Sequence, residues 1–198
     1  MAASFKSYAL YVRAAIVMTL GLALGLAATV YALDLGYGFD AVEVGPWKAW
    51  PGVGGMEIDP YARAVVARSG ETPLGKEQGL AFVAARDSLG EKLDGRCRYR
   101  VLAPTPPARF WTLGLSTPAG GLIANPSGRY EYSSADILRR EGGGFVLEIS
   151  RTVEPGNWLS SGDAGPFILI LRLYDTGFAP DTQPDPATFP RIVKLKCA

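Results

Sequence analysis

Apolar and polar positions along this chain follow three rhythms, and each predicts a different kind of element. From Ala14 to Leu33 twenty consecutive residues carry no charge; at about 1.5 Å of rise per residue, a helix of that length covers roughly 30 Å, the hydrocarbon thickness of a bilayer. Asp59-Pro60 then reads as an N-cap with proline at the first helical position. Tyr61, Ala62, Val65 and Val66 recur at helical spacing until Ser69-Gly70 stops them. From about Gly79 the period falls to two. Leu80, Phe82 and Ala84 alternate with Ala81, Val83 and Ala85, and Asp87-Ser88-Leu89-Gly90 supplies turn chemistry. Cys97, Tyr99 and Val101 then alternate with Arg98 and Arg100 on what reads as the return strand of a hairpin.

Strand patterns continue over Phe110 to Ser116, Gly121 to Ala124, Tyr130 to Ser133, Phe145 to Ser150 and Phe167 to Tyr174. Between them lie Asn125-Pro126-Ser127-Gly128, Gly142-Gly143-Gly144 and Pro155-Gly156-Asn157. Short strands at this spacing predict an antiparallel sandwich, and Phe167 to Leu171, apolar on both faces, reads as a central strand. The proline-bearing tail from Thr176 to Pro190 is expected to be extended. A closing strand follows, with Val193, Leu195 and Cys197 on one face and Lys194 and Lys196 on the other.

The apolar run decides where the rest belongs. Lys6 and Arg13 precede it, while Asp34, Asp40 and Glu43 are the first charges after it, an asymmetry that puts the N-terminus in the cytoplasm. A cleaved signal peptide has a core of only ~7–15 residues and a small-residue exit; here the exit is Thr29, Val30, Tyr31, Ala32 and Leu33. The expected organisation is a cytoplasmic segment over 1–13, a signal anchor over 14–33 in the inner membrane, a juxtamembrane connector over 34–58 and a periplasmic domain over 59–198. Within the anchor, Gly21 and Gly25 form a G-x-x-x-G continued by Ala28 and Thr29, a face on which helices approach closely, although such residues are common in any apolar span. Trp47 and Trp50 in the connector suit either the membrane interface or packing onto the domain.

Beyond Leu33 remain 165 residues, enough for one domain with a core. The chain holds 20 Lys plus Arg against 19 Asp plus Glu, and without Lys6 and Arg13 the balance is −1, which argues for no nucleic-acid partner. Histidine is absent, so triads and proton relays built on imidazole are excluded. Cys97 and Cys197 are too far apart for a C-x-x-C pair. Both fall on apolar strand faces, which favours a disulfide in an oxidising compartment over two buried thiols.

Pro107-Ala108-Arg109-Phe110-Trp111-Thr112-Leu113, Asn125-Pro126 with Arg129-Tyr130, Pro155-Gly156-Asn157-Trp158-Leu159 and Gly165-Pro166-Phe167 leading into Leu171-Arg172-Leu173-Tyr174 resemble the family called domain of unknown function 1214. Gly45-Pro46-Trp47, Asp59-Pro60-Tyr61-Ala62-Arg63-Ala64 and Asp87-Ser88 are similar to its short, membrane-anchored bacterial members. The resemblance covers most of residues 45 to 176. It implies a jelly-roll-like β-sandwich and a companion domain of unknown function 1254, absent here and therefore expected on a separate partner protein. It supplies no catalytic residues.

The candidate chemistry is correspondingly modest. Arg172, in phase with apolar neighbours, calls for an internal partner such as Glu148, Glu131 or an aromatic face; the alternative is that Arg109, Arg129 and Arg172 converge on an anionic ligand, since guanidinium forks match carboxylate and phosphate. Tyr130 and Asn157 accompany them. Trp111 and Trp158 either line an apolar or sugar-stacking pocket or belong to the core. Glu131, Asp136, Glu148 and Asp163 are the acids from which a glycosidase-type pair would have to come, at a carboxyl separation of roughly 5–9.5 Å. Neither a G-x-S-x-G elbow nor an S-x-x-K motif is present. The expectation is a mainly β protein, an antiparallel β-sandwich with one short helix behind a transmembrane helix. It is expected to act as a non-catalytic binding or assembly module of the envelope, with no metal and no cofactor. A carboxylate hydrolase or a lipophile binder is the alternative.

Overall fold

The computed structural model describes residues 2–34, 41–55, 58–69, 73–75, 78–177 and 184–197. Helix α1 (Ala2–Asp34) leads. Within it Leu10–Ala32, 23 residues of mean hydropathy 2.0, is long and apolar enough to cross a membrane. The rest is β1 (Val42–Val44), β2 (Trp47–Ala49), a 3-10 turn at Pro51–Gly54, α2 (Pro60–Ser69), β3 (Gly79–Ala84), β4 (Cys97–Ala103), β5 (Ala108–Ser116), β6 (Glu131–Ser133), β7 (Phe145–Ser150), β8 (Asn157–Ser160), β9 (Ile168–Thr176) and β10 (Arg191–Cys197), with a second 3-10 turn at Pro186–Thr188.

Two sheets enclose the core. One runs β1-β2-β3-β9-β5-β6 and the other β10-β4-β7-β8. Alternation does the work: Phe82, Trp111, Leu113, Leu171 and Leu173 of the first sheet face Tyr99, Val101, Phe145, Leu147 and Ile149 of the second, all at most 1% exposed. β9 lies between β3 and β5, the central position its two-sided apolarity predicts. All pairings are antiparallel except β7 with β8, which run parallel. The six residues between them return the chain to Leu147, opposite Asn157, so the short β8 continues in the same direction as β7. The expected Asp59 cap is present, its Oδ1 accepting from the N–H of Tyr61 at 2.8 Å and of Ala62 at 3.2 Å. Gly70 and residues 178–183 of the proline-bearing tail lie outside the described residues.

Four expectations change. β3 and β4 do not form a hairpin: the Asp87 carboxylate folds the turn by accepting from the N–H groups of Leu89 and Glu91, but the chain then crosses to the other sheet. The stretch Gly121 to Ala124 alternates without finding a partner and forms a loop, with Leu122 exposed and Ile123 buried. Part of the connector over 34–58 joins the sandwich, as β1 and β2. β2 pairs with β3, and the fully buried Trp47 donates its indole N–H to the Pro190 carbonyl at 2.7 Å, so Trp47 belongs to the core.

The fourth concerns β10. Ile192 faces Val101 in the core, so Val193 points outward, opposite the assigned phase. A bulge between Lys194 and Lys196 then inserts Leu195 as an extra residue and returns the strand to phase, setting Cys197 directly opposite Cys97. The two form a disulfide across 100 residues.

Just before β4, Asp94 holds Arg96 in a fork, with Nη2 to Oδ2 at 2.7 Å and Nε to Oδ1 at 3.0 Å. These hydrogen bonds, the Arg96 backbone N–H among them, lower the Asp94 carboxyl from 3.8 to about 2 against a smaller effect of burial. A depressed carboxyl contributes stability above its unfolded value and loses it as pH falls through the folded one, here between about pH 4 and 2. Asp94→Asn is therefore expected to be less stable than the parent at pH 6, with the two denaturation curves converging towards pH 2. An equal gap at both pH values would refute this assignment.

Candidate functional site

On the outer face of the six-stranded sheet the register builds rows of side chains. Val83, Ile170, Gly114 and Glu131 form one row, Ala81, Arg172, Thr112 and Ser133 the next, and Gly79, Tyr174 and Phe110 a third. Over the first two rows opens a groove of about 680 Å³, lined by Ser116, Ser127, Tyr130, Glu131, Ile170 and Arg172 among others. Its walls are two turns. Thr117 closes one by accepting the Gly120 N–H at 2.9 Å. In the other, Asn125 is bonded by the Ser127 hydroxyl at 2.6 Å, and Gly128, at φ 65°, makes the left-handed step that presents Arg129. Gly114 permits β6 to lie close, since a Cβ there would stand 2.9 Å from that of Glu131.

The arginines have different partners. Arg129 places its guanidinium 4.5 Å from the centre of the Tyr132 ring and pairs with Asp136 Oδ2 at 2.6 Å. Burial pushes the Asp136 carboxyl up, but hydrogen bonds from the Ser133 hydroxyl and backbone and from Arg129 outweigh it and hold the group below its ordinary value. Arg109 lies at the far end of β5, against Asp175 at 3.5 Å with both side chains mostly exposed. Five residues from Gly114, about 17 Å along the strand, it does not reach the groove. Arg172, half-buried at the centre of the sheet, has no ion-pair or hydrogen-bond partner among the described residues. Glu148, considered for it from the sequence, lies on the other sheet and is held by Arg98 and Arg100.

The remaining candidates are placed elsewhere. Asn157 spends its side-chain amide on backbone, donating to Leu138 O at 2.8 Å and Val146 O at 2.9 Å and accepting from Leu138 N at 2.8 Å. Trp158 donates its indole N–H to the Ser150 hydroxyl at 3.0 Å. Trp111 is in the core, stacked on Phe145 at 4.8 Å. Gly21 and Gly25 sit one turn apart on α1 with open space around each. Phe110, 39% exposed beside Tyr174 at 5.6 Å, was not singled out from the sequence. Its sequence signal was the phase it shares with Thr112 and Gly114, which acquires meaning once the pairing of β5 with β9 is known.

Chemically the groove offers two guanidinium groups, of which Arg129 is paired with Asp136, one carboxylate and several hydroxyls. Asp136 is engaged by Arg129, while Glu148 and Asp163 lie away from the groove, so its lining places Glu131 without a second acid facing it. No group of three or more potential metal-ligating side chains occurs among the described residues. A recess beside Trp50, Leu74 and Val83 is about 50 Å³, well below the ~300–1,000 Å³ of ligand pockets.

A family model described as Protein of unknown function (DUF1214) matches residues 78–178. Among solved structures, the VPA0106 protein from Vibrio parahaemolyticus is similar at 20% identity and a TM-score of 0.55, covering 69% of this chain and 35% of that one. A putative uncharacterised protein from Burkholderia cenocepacia matches at 18% identity and a TM-score of 0.43, over 64% of this chain and 32% of that one. The chain thus spans about a third of the length of these structures. No curated protein matches.

Proposed function

The chain belongs to the DUF1214 family of proteins of unknown function, and we propose that within it this member is a membrane-tethered envelope protein that binds an anionic ligand without transforming it. Helix α1 serves as an inner-membrane anchor with the N-terminus in the cytoplasm, and the sandwich stands in the periplasm. The asymmetry of flanking charge and the oxidised Cys97–Cys197 pair support this placement. A partner protein carrying the companion domain of unknown function 1254 completes the proposal; co-purification from membranes without any such protein would count against it.

The observation that carries the binding reading is Arg172. A half-buried guanidinium on the central strand, beside the buried Ile170 and Thr112 and lining the groove without an internal counter-charge, has its fork free for an anion. A single unpaired acid in the groove supports binding over hydrolysis, which needs two carboxyls at a set separation. Arg172→Gln in the detergent-solubilised full chain is expected to weaken the binding of acetate or inorganic phosphate about 10- to 100-fold, the range for losing a charge-assisted fork, while the melting temperature stays within about 2 °C, as for a surface-type substitution. Calorimetric titration and a melting curve of each protein check this. Unfolding of the variant, or unchanged anion affinity, would assign Arg172 a purely structural role.

A further inference from the structure

We infer that the ligand is an acidic saccharide, its carboxylate on Arg172 and the face of a sugar ring on Phe110 and Tyr174; this rests on the anionic-ligand reading above. The register places the Arg172–Thr112 row between the groove and the Tyr174–Phe110 row, with rows about 7 Å apart along the strands. Phe110 and Tyr174 make a tilted pair, 45° between planes, on the outer face of the sheet. With 39% of Phe110 exposed, the pair forms an apolar platform directly beside a cation. A sugar ring presents an apolar C–H face edged by hydroxyls, which matches a ring platform flanked by polar groups.

The groove on the other side of Arg172 suits hydroxyls rather than an acyl chain. Ser116, Ser127, Tyr130 and Glu131 supply donors and acceptors. Glu131 stands two strands and one row from Arg172, roughly 12 Å between Cα atoms by sheet spacing. A ligand that engages both must be longer than a simple anion and must offer hydroxyls, not a second negative charge, to the carboxylate. A peptide fits this place less well. On β6, the sheet edge beside the groove, the Ser133 N–H is already bonded to Asp136 at 2.6 Å, which removes a backbone donor that strand addition would use.

The test titrates the full chain in detergent with acetate, a linear tri-uronate, a neutral trisaccharide and tetraglutamate, by calorimetry or saturation-transfer NMR. The tri-uronate is expected to bind at least 10-fold tighter than acetate and than the neutral sugar. Phe110→Ala, and independently Tyr174→Leu, are expected to weaken the tri-uronate about 10-fold and leave acetate unchanged, with Arg172→Gln weakening both. If acetate binds through Arg172 but the tri-uronate binds no tighter, or tetraglutamate or the neutral sugar matches it, the saccharide assignment is wrong and the anion site stands. If no anion binds and Arg172→Gln changes nothing, the anion site itself is wrong.

Discussion

Replacing Trp111 with alanine is expected to destabilise the sandwich by about 3–5 kcal/mol, the range for removing a fully buried large aromatic. For a domain of this size that is a fall of roughly 10 °C in melting temperature. Trp111 is 1% exposed and projects from β5 across the layer onto Phe145 of β7, stacked with 16° between the rings. It therefore joins the two sheets, not merely two strands. On β5 its register partner is Leu173, and its carbonyl accepts from the Ser134 N–H at 2.9 Å, so little around it is free to collapse into the void. Urea or thermal denaturation of the detergent-solubilised chain measures the loss. A variant that keeps its stability but binds a ligand less well would move Trp111 from the core to a binding role.

Trp111 also shows why the fold was more legible than the site. Alternation identifies which residues of β5 share a face, and this is enough to predict strands, a two-layer core and a central β9. It does not identify a strand's neighbours. β3 and β4 read as a hairpin because a turn joins two alternating runs, yet the turn at Asp87 delivers the chain to the opposite sheet. Asn157 read as turn chemistry beside Pro155-Gly156, and its amide instead fastens the Leu138 backbone to β7. The arginines separate for the same reason. Arg129 and Arg172 meet in one groove because β6 and β9 flank β5, while Arg109 sits on β5 at a level the groove does not reach. Residue type points to an anion; only the pairing says which guanidinium is left to meet it.

Breaking the Cys97–Cys197 bridge is expected to lower stability by about 4.7 kcal/mol, the loop-entropy value for a closed loop of this length. The bridge closes 100 residues and fastens the last strand at a sheet edge, where the other attachments of β10 are one buried side chain, Ile192, and contacts such as the Lys194–Glu91 ion pair at 2.7 Å. A melting curve with and without reductant, repeated on the Cys97→Ser, Cys197→Ser double variant, measures the loss; equal melting temperatures in all four samples would refute it. The bulge supplies a separate test, of the register. Leu195 is the extra residue opposite Arg98. Deleting it restores strict alternation with Lys194 opposite Tyr99, Lys196 opposite Arg98 and Cys197 still opposite Cys97, and is expected to leave the disulfide formed, with no titratable thiol and a melting temperature near that of the parent, not that of the double cysteine variant. A deletion variant with two titratable thiols would mean that Ile192 and Lys194 do not hold the register of β10 against β4.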